Sequence, residues 1–143
     1  MRTFILYFLA AFLTTSAIAQ STVGELLDKG AKKLAKEDYL AMMPMRVQYQ
    51  WPNRQGEGDL VFRADGSLSG SEHHYSSRSE SPATGTHVLE DDGKWCMKKH
   101  MPVWNSRTDQ CWHNYKLGDD YYGALSDDKG ARAIKVKSIS RVQ

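Results

Sequence analysis

The sequence predicts a small, mainly β protein, an antiparallel barrel or sandwich that follows a short helical segment. From residue 45 onward, apolar side chains alternate with polar ones, and Gly- or Asp-containing turns recur about every ten residues. Only the stretch over residues 21–43 shows helical spacing. The chain has no strand–helix–strand alternation, which excludes a parallel α/β fold. We favour a barrel because closure leaves no exposed sheet edge.

The first 19 residues have the three parts of an export signal. Arg2 is followed by an apolar run over residues 4–13, and the segment ends in small residues up to Ala19. Removing 19 of the 143 residues leaves 124, enough for one domain. We therefore predict a periplasmic or secreted protein with no membrane span after cleavage. The mature chain divides into a helical segment, residues 20–44, and a β domain, residues 45–143.

The charge balance argues against a nucleic-acid partner. Nineteen basic residues face 17 acidic ones, for a formal net charge of +2, and no basic cluster stands out. The sequence also lacks the glycine-rich loops that bind dinucleotides or phosphate. We predict no cofactor.

The helical segment carries a start signal and a stop signal. Thr22 and Glu25 fit a capping box, and Pro44 ends the helical region. We expect the first helix to break near Lys36 and a second short helix to cover residues 38–42. The predicted buried face of the first helix contains Leu27, Ala31 and Leu34.

About eight short strands follow. They are predicted at residues 45–51, 59–63, 67–76, 85–90, 94–99, 110–116, 121–125 and 133–139. Asp65-Gly66 and two further Asp/Gly-rich turns predict hairpins. Residues 76–82 are rich in Ser and contain Pro82, so we expect a loop there.

The two cysteines each adjoin a tryptophan. In an oxidising compartment, Cys96 and Cys111 have only each other as disulfide partner, so we predict one structural bond that joins two strands. The adjacent Trp95 and Trp112 are candidate binding residues.

The residues between the cysteines are predicted to form a long polar and aromatic loop. Because a loop has little core to fill, Trp104 is the best candidate for an exposed contact, with Arg107 beside it. This loop is our predicted contact surface for an unknown small ligand or an envelope or extracellular macromolecule.

Several short motifs resemble one family. These are the helix over residues 36–44, Gly56-Glu57-Gly58, Asp65-Gly66-Ser67, Thr84-Gly85-Thr86, the run from Asp91 to Cys96, Cys111-Trp112 and Tyr121-Tyr122. Over residues 36–125 the chain resembles small exported bacterial proteins grouped as domain of unknown function 995. His87 stands where such families often have Trp. The resemblance implies a disulfide-pinned calycin- or lipocalin-like barrel and no particular activity.

No catalytic constellation stands out, so we favour a non-enzymatic binding protein. Aromatic residues able to stack on a sugar or an apolar ligand are Tyr49, Trp51, Trp95, Trp104, Trp112, Tyr115, Tyr121 and Tyr122. One alternative is a periplasmic copper- or zinc-binding protein that uses His100, Met101 and His113. Another is an envelope enzyme acting on polysaccharide through two of the carboxylates Glu57, Asp59, Glu72 and Glu90.

Overall fold

The structure, a computed structural model, describes residues 21–142 and contains two short helices and ten strands. The predicted export signal lies outside the described residues. The helices are α1 (Val23–Asp28) and α2 (Lys36–Met42). The strands are β1 (Lys32–Lys33), β2 (Met45–Gln50), β3 (Gly56–Phe62), β4 (Ser67–His74), β5 (Ser79–Leu89), β6 (Trp95–Met101), β7 (Ser106–Leu117), β8 (Asp120–Ala124), β9 (Ala133–Lys135) and β10 (Ser138–Arg141).

The strands form one antiparallel sheet in the order β10-β2-β3-β4-β5-β6-β7-β8-β9, and β1 pairs with β7 outside this path. Its two end strands, β9 and β10, are neighbours in the chain, joined only by residues 136–137. The sheet must therefore curl until its ends approach, and it forms an antiparallel half-barrel. The predicted fold class is confirmed.

The inner face of the half-barrel holds the larger core. Strand alternation buries every second side chain, as in β6, where residues 95, 97, 99 and 101 are buried. Helix α2 covers the end at which β6 begins. Tyr39 of this helix is fully buried, packs 5.2 Å from Trp95 between ring centroids, and accepts a hydrogen bond of 2.9 Å from Asn114.

A smaller core lies on the opposite side of the sheet, where α1 packs against β7, β8 and β9. We call it the outer cluster. Its buried members are Val23, Leu26, Ala31, Tyr115, Ala124 and Ala133. The predicted capping box starts α1: Thr22 and Glu25 each bond the other's backbone amide, at 3.1 and 3.2 Å.

The predicted end of the first helix is wrong. Helix α1 ends at Asp28, because Gly30 adopts a positive φ of 87° and Ala31 N donates to Leu26 O at 2.9 Å. This geometry is a Schellman motif, in which glycine terminates a helix. The buried side of α1 also differs from the prediction: Leu27, predicted to be buried, is 39% exposed, whereas Leu26 is 1% exposed.

Two further predictions, the loop over residues 76–82 and the last strand, also need correction. Residues 79–82 belong to β5, and only residues 75–78 form the turn before it. Pro82 is tolerated because the β5–β6 ladder starts two residues later, at Thr84. The predicted strand over residues 133–139 is divided between β9 and β10, with residues 136–137 between them.

The predicted long loop between the cysteines is also wrong. Strands β6 and β7 pair from Trp95↔Trp112 to Met101↔Ser106, and one turn of 3-10 helix, Pro102–Trp104, joins them. Asn105 closes this turn in the left-handed region, with φ of 46°. The segment between the cysteines is therefore a hairpin, and half of its side chains face into the half-barrel.

Candidate functional site

The inner face of the half-barrel encloses a cavity of about 610 Å³, which we call the central cavity. Its walls are mostly apolar, with aliphatic side chains from β2, β6 and β9. Its aromatic lining residues are Tyr49, Trp51, Phe62, Trp95, Trp104 and Trp112. The cavity reaches the surface beside exposed Asn53 and Leu125. The interior is thus hollow toward this surface and packed toward α2.

In the two Trp–Cys units, the tryptophans and the cysteines lie on opposite faces of the β6–β7 hairpin. Trp95 and Trp112 are opposite each other in register and line the central cavity. Cys96 and Cys111, the next pair, face outward, and their sulfurs are bonded at 2.02 Å. Closing a loop of 15 residues stabilises the fold by about 3 kcal/mol through the unfolded chain. The predicted cysteine pairing is present in the structure.

Trp104 and Arg107 have different surroundings from those predicted. Trp104 is half-buried at the open end of the cavity, where its indole N–H donates to Ser79 Oγ at 3.0 Å. Its ring meets Trp51 edge-to-face at 5.9 Å between centroids. Arg107 is exposed, pairs in register with His100 and does not line the central cavity.

A buried ion pair forms the polar centre of the cavity. Lys99 on β6 and Glu72 on β4 are in direct contact, and their side chains are 8% and 1% exposed. Tyr49 donates its hydroxyl proton to Glu72 Oε1, and the Trp51 indole N–H donates to Glu72 Oε2. Lys99 Nζ also donates to the Tyr49 hydroxyl at 2.6 Å. Both oxygens of the buried carboxylate are therefore hydrogen-bonded.

Glycine on β3 makes this network possible. Tyr49, Gly58 and Glu72 lie side by side on β2, β3 and β4, so the tyrosine must cross β3 to reach the carboxylate. A Cβ at position 58 would stand 2.5 Å from the Tyr49 ring, and one at Gly56 would stand 2.7 Å from the Trp51 ring. The two glycines therefore leave the space that the two rings occupy.

The environment of Tyr49 keeps its hydroxyl protonated. Burial raises the pKa of Tyr49 well above its usual value near 10, and the adjacent Glu72 carboxylate raises it further. A neutral tyrosine is the form that can donate to Glu72 while it accepts from Lys99. The network therefore contains one positive charge, one negative charge and a neutral hydroxyl.

The residues of the metal alternative are not brought together. His100 and Met101 are consecutive on β6 and point to opposite faces. His113 lies six residues beyond Arg107, the partner of His100, which is about 20 Å along the hairpin. His113 Nδ1 is buried without a hydrogen-bond partner in the structure. Within residues 21–142, no three His, Cys, Asp or Glu side chains are arranged to hold a metal ion.

The carboxylates of the polysaccharide alternative lie on different faces. Glu57 and Asp59 point outward from β3, where they bind Lys137 and Arg46, respectively. Glu90 bonds Lys94 near the turn between β5 and β6. Glu72 alone faces the central cavity. Glu57 and Asp59 line a second cleft on the outer face, but both lie on β3 and each is paired with a cation, so they do not face each other across it.

Lys99 is the site residue that the sequence prediction missed. A usable signal was present, because Trp95, Met97 and Met101 form an apolar alternation that Lys99 interrupts at an inward position. A charged side chain on the buried face of a strand needs a partner. The sequence analysis predicts a role for Glu72 only as one of the candidate catalytic carboxylates.

Comparison with known proteins gives no relative: no family model, no curated protein and no solved structure matches this chain. No helix among the described residues is long and apolar enough to cross a membrane.

Proposed function

We propose that the protein is a non-enzymatic binding module that holds a small, largely apolar ligand in the central cavity. The observation that carries this proposal is a cavity of about 610 Å³ with aromatic walls and a buried, hydrogen-bonded ion pair. Ligand sites in proteins are typically concave, apolar and of about 300–1,000 Å³, with a few polar groups that orient the ligand.

The open end of the cavity supports the same proposal. Trp51, Trp104 and His74 meet edge-to-face there, with centroid distances of 5.4, 5.9 and 6.4 Å. Trp104 is anchored through its N–H to Ser79, so its ring is held beside the opening. Anchored aromatic rings bind flat apolar groups at little entropic cost.

The hydrogen bonding of the ion pair favours binding over catalysis. Both Glu72 oxygens accept hydrogen bonds, and Lys99 donates to Glu72 and Tyr49. A general acid or base must instead reach the proton that it transfers on a substrate. The polar network is therefore better suited to orienting a ligand than to transforming it.

We also propose export to the periplasm or the exterior and membership of the domain of unknown function 995 family. The first 19 residues and the cysteine pair at bonding distance support export. The short motifs over residues 36–125 support the family assignment. Intact-mass measurement of protein recovered from the periplasm and the medium tests export, with cleavage expected after Ala19.

A matched pair of variants tests the binding site. Thr108 on β7 lines the central cavity, whereas Thr84 on β5 faces outward and is exposed. The neutral apolar dye N-phenylnaphthylamine should bind the wild type and become fluorescent. Thr108→Trp fills the cavity and should weaken dye binding at least about tenfold. Thr84→Trp places the same ring outside and should leave the affinity unchanged.

The proposal fails if the wild type does not bind the dye, or if the two variants bind it equally well. Near-ultraviolet circular dichroism of both variants establishes that each is folded before their affinities are compared. A dye site elsewhere on the surface would be unaffected by Thr108→Trp.

A further inference from the structure

The charge balance of the central cavity restricts the ligand that it can accept. Glu72 and Lys99 contribute opposite charges and are both buried. Besides Tyr49, which stays protonated, two other titratable side chains line the cavity, Lys135 and His74. Lys135 is exposed and bonds Asp120 at 2.8 Å, and His74 bonds Ser76 at 3.1 Å at the open end. The buried part of the cavity is therefore electrically neutral.

A charged ligand group would disturb this neutrality. A carboxylate placed beside Lys99 would also lie close to Glu72, so it would leave one uncompensated negative charge in a low-dielectric interior. An ammonium group would meet the Lys99 ammonium directly. Both arrangements are costly because buried charges need their own partner.

The hydrogen-bonding inventory shows which uncharged group fits. A lysine ammonium has three N–H donors. Among the described residues, Lys99 has two acceptors, Glu72 Oε1 and the Tyr49 hydroxyl. The third N–H remains for a group in the cavity that Lys99 lines. The Tyr49 hydroxyl already donates to Glu72, so within the ion-pair network the donor available to a ligand comes from Lys99.

We infer that the ligand is an uncharged, largely apolar molecule with a carbonyl-type acceptor, such as an ester, amide or ketone, which accepts a hydrogen bond from Lys99. The apolar body lies against Trp95, Trp112 and the neighbouring aliphatic walls. This inference rests on the proposed function, because it names the ligand class of the same cavity. It adds that the cavity discriminates against anions and cations of the same shape.

A series of three chain-matched compounds tests the inference on the wild-type protein. Methyl laurate, laurate and dodecylamine share an apolar chain and differ in the charge of the head group. Calorimetry below the concentrations at which they form micelles should show methyl laurate binding at least about tenfold more tightly than either charged compound. Tighter binding of laurate or dodecylamine would overturn the inference and leave the binding site intact.

A substitution that changes the charge of the cavity gives a second, independent result. Glu72→Gln keeps the shape of the side chain and leaves Lys99 as an unpaired positive charge. The ratio of laurate affinity to methyl laurate affinity should then rise at least about tenfold. Glu57→Gln, the same substitution on the outer face of β3, should not change this ratio.

The outcomes separate the two proposals. An unchanged ratio in folded Glu72→Gln overturns the inference. If Glu72→Gln does not fold, the relative affinities of the wild type for the three compounds test the inference by themselves. If no compound binds and N-phenylnaphthylamine does not bind either, both the proposed function and the inference are wrong. If only the dye binds, the cavity exists as a site but the carbonyl-type ligand class is wrong.

Discussion

The central cavity and the outer cluster are two cores of different character on opposite faces of one sheet. The outer cluster is apolar, with three of its six buried members alanine, and it attaches α1 to β7, β8 and β9. The cavity side uses large aromatic rings, leaves about 610 Å³ open and buries an ion pair. Apolar side chains, half of them alanines, are enough to hold α1 against the sheet. Open space and buried charge both reduce stability, so their presence on one face supports the binding role proposed for it.

The largest expected effect is at the ion pair. Lys99→Met removes the positive charge and leaves Glu72, 1% exposed, as an unpaired buried carboxylate. We expect a loss of about 3–5 kcal/mol in the free energy of unfolding. Urea denaturation followed by tryptophan fluorescence measures it.

The matched control for this variant is the double substitution Lys99→Met with Glu72→Gln. It removes both charges together, so most of the lost stability should return. If Lys99→Met alone costs less than about 1 kcal/mol, the ion pair is not buried as described, and the contrast between the two cores is much smaller.

A smaller effect is expected in the outer cluster. Leu26→Ala deletes a side chain that is 1% exposed and leaves a void between α1 and the sheet. We expect a loss of about 2–4 kcal/mol, with unchanged affinity for N-phenylnaphthylamine, because the outer cluster does not line the central cavity. Urea denaturation and dye titration measure the two quantities.

The adjacent residue provides the control. Leu27→Ala lies on the same helix at a side chain that is 39% exposed, and its effect should stay within about 0.5 kcal/mol. Equal losses for Leu26→Ala and Leu27→Ala would contradict the orientation of α1, in which Leu26 faces the sheet and Leu27 faces solvent. A large change in dye affinity with Leu26→Ala would show that the two cores are coupled.

The smallest expected effect is a loss of stability at alkaline pH that depends on Tyr39, at the end of the half-barrel that α2 covers. Burial raises the pKa of Tyr39 from 10.0 to about 12, and the hydrogen bond from Asn114 partly offsets this rise. The unfolded chain therefore loses this proton first. The contribution of protonated Tyr39 to the free energy of unfolding is complete below pH 10 and disappears as the pH rises to 12. This change amounts to about 2–3 kcal/mol.

Tyr39→Phe isolates this contribution. The variant lacks the titrating hydroxyl, so its unfolding free energy should fall less steeply between pH 10 and pH 12 than that of the wild type. At neutral pH the two should differ only by the lost hydrogen bond to Asn114, about 1 kcal/mol. Identical slopes would show that Tyr39 is not shielded from solvent.

The sequence predictions succeeded where the signal was local. The capping box at Thr22 and Glu25, the hairpin turn at Asp65-Gly66 and the alternation in β2 each depend on residues close together in the chain. The wrong predictions came from local sequence signals that fit two different structures. Gly30 fits either a weak helix interior or a helix end, and the Ser-rich start of β5 has the composition of a loop. The start of β5 is a strand because it pairs with β4.

The candidate site was only partly predictable. The sequence predicts Trp95, Trp104 and Trp112 as candidate binding residues, and all three line the central cavity. Arg107 was assigned to the same surface, but it lies on the outer face of β7. The error followed from predicting a loop, since inward and outward positions are defined only once β6 and β7 are paired.

The sequence by itself determined the mainly β class, the short N-terminal helices and the one possible cysteine pairing. Side-chain periodicity, turn residues and cysteine count specify these without knowledge of distant contacts. Tertiary structure alone decided that Glu72 and Lys99 meet, that Tyr49 and Trp51 cross β3 over Gly58 and Gly56, and that a cavity remains. These features depend on the register and curl of several strands, because residues 27 positions apart face each other only after the sheet has closed around them.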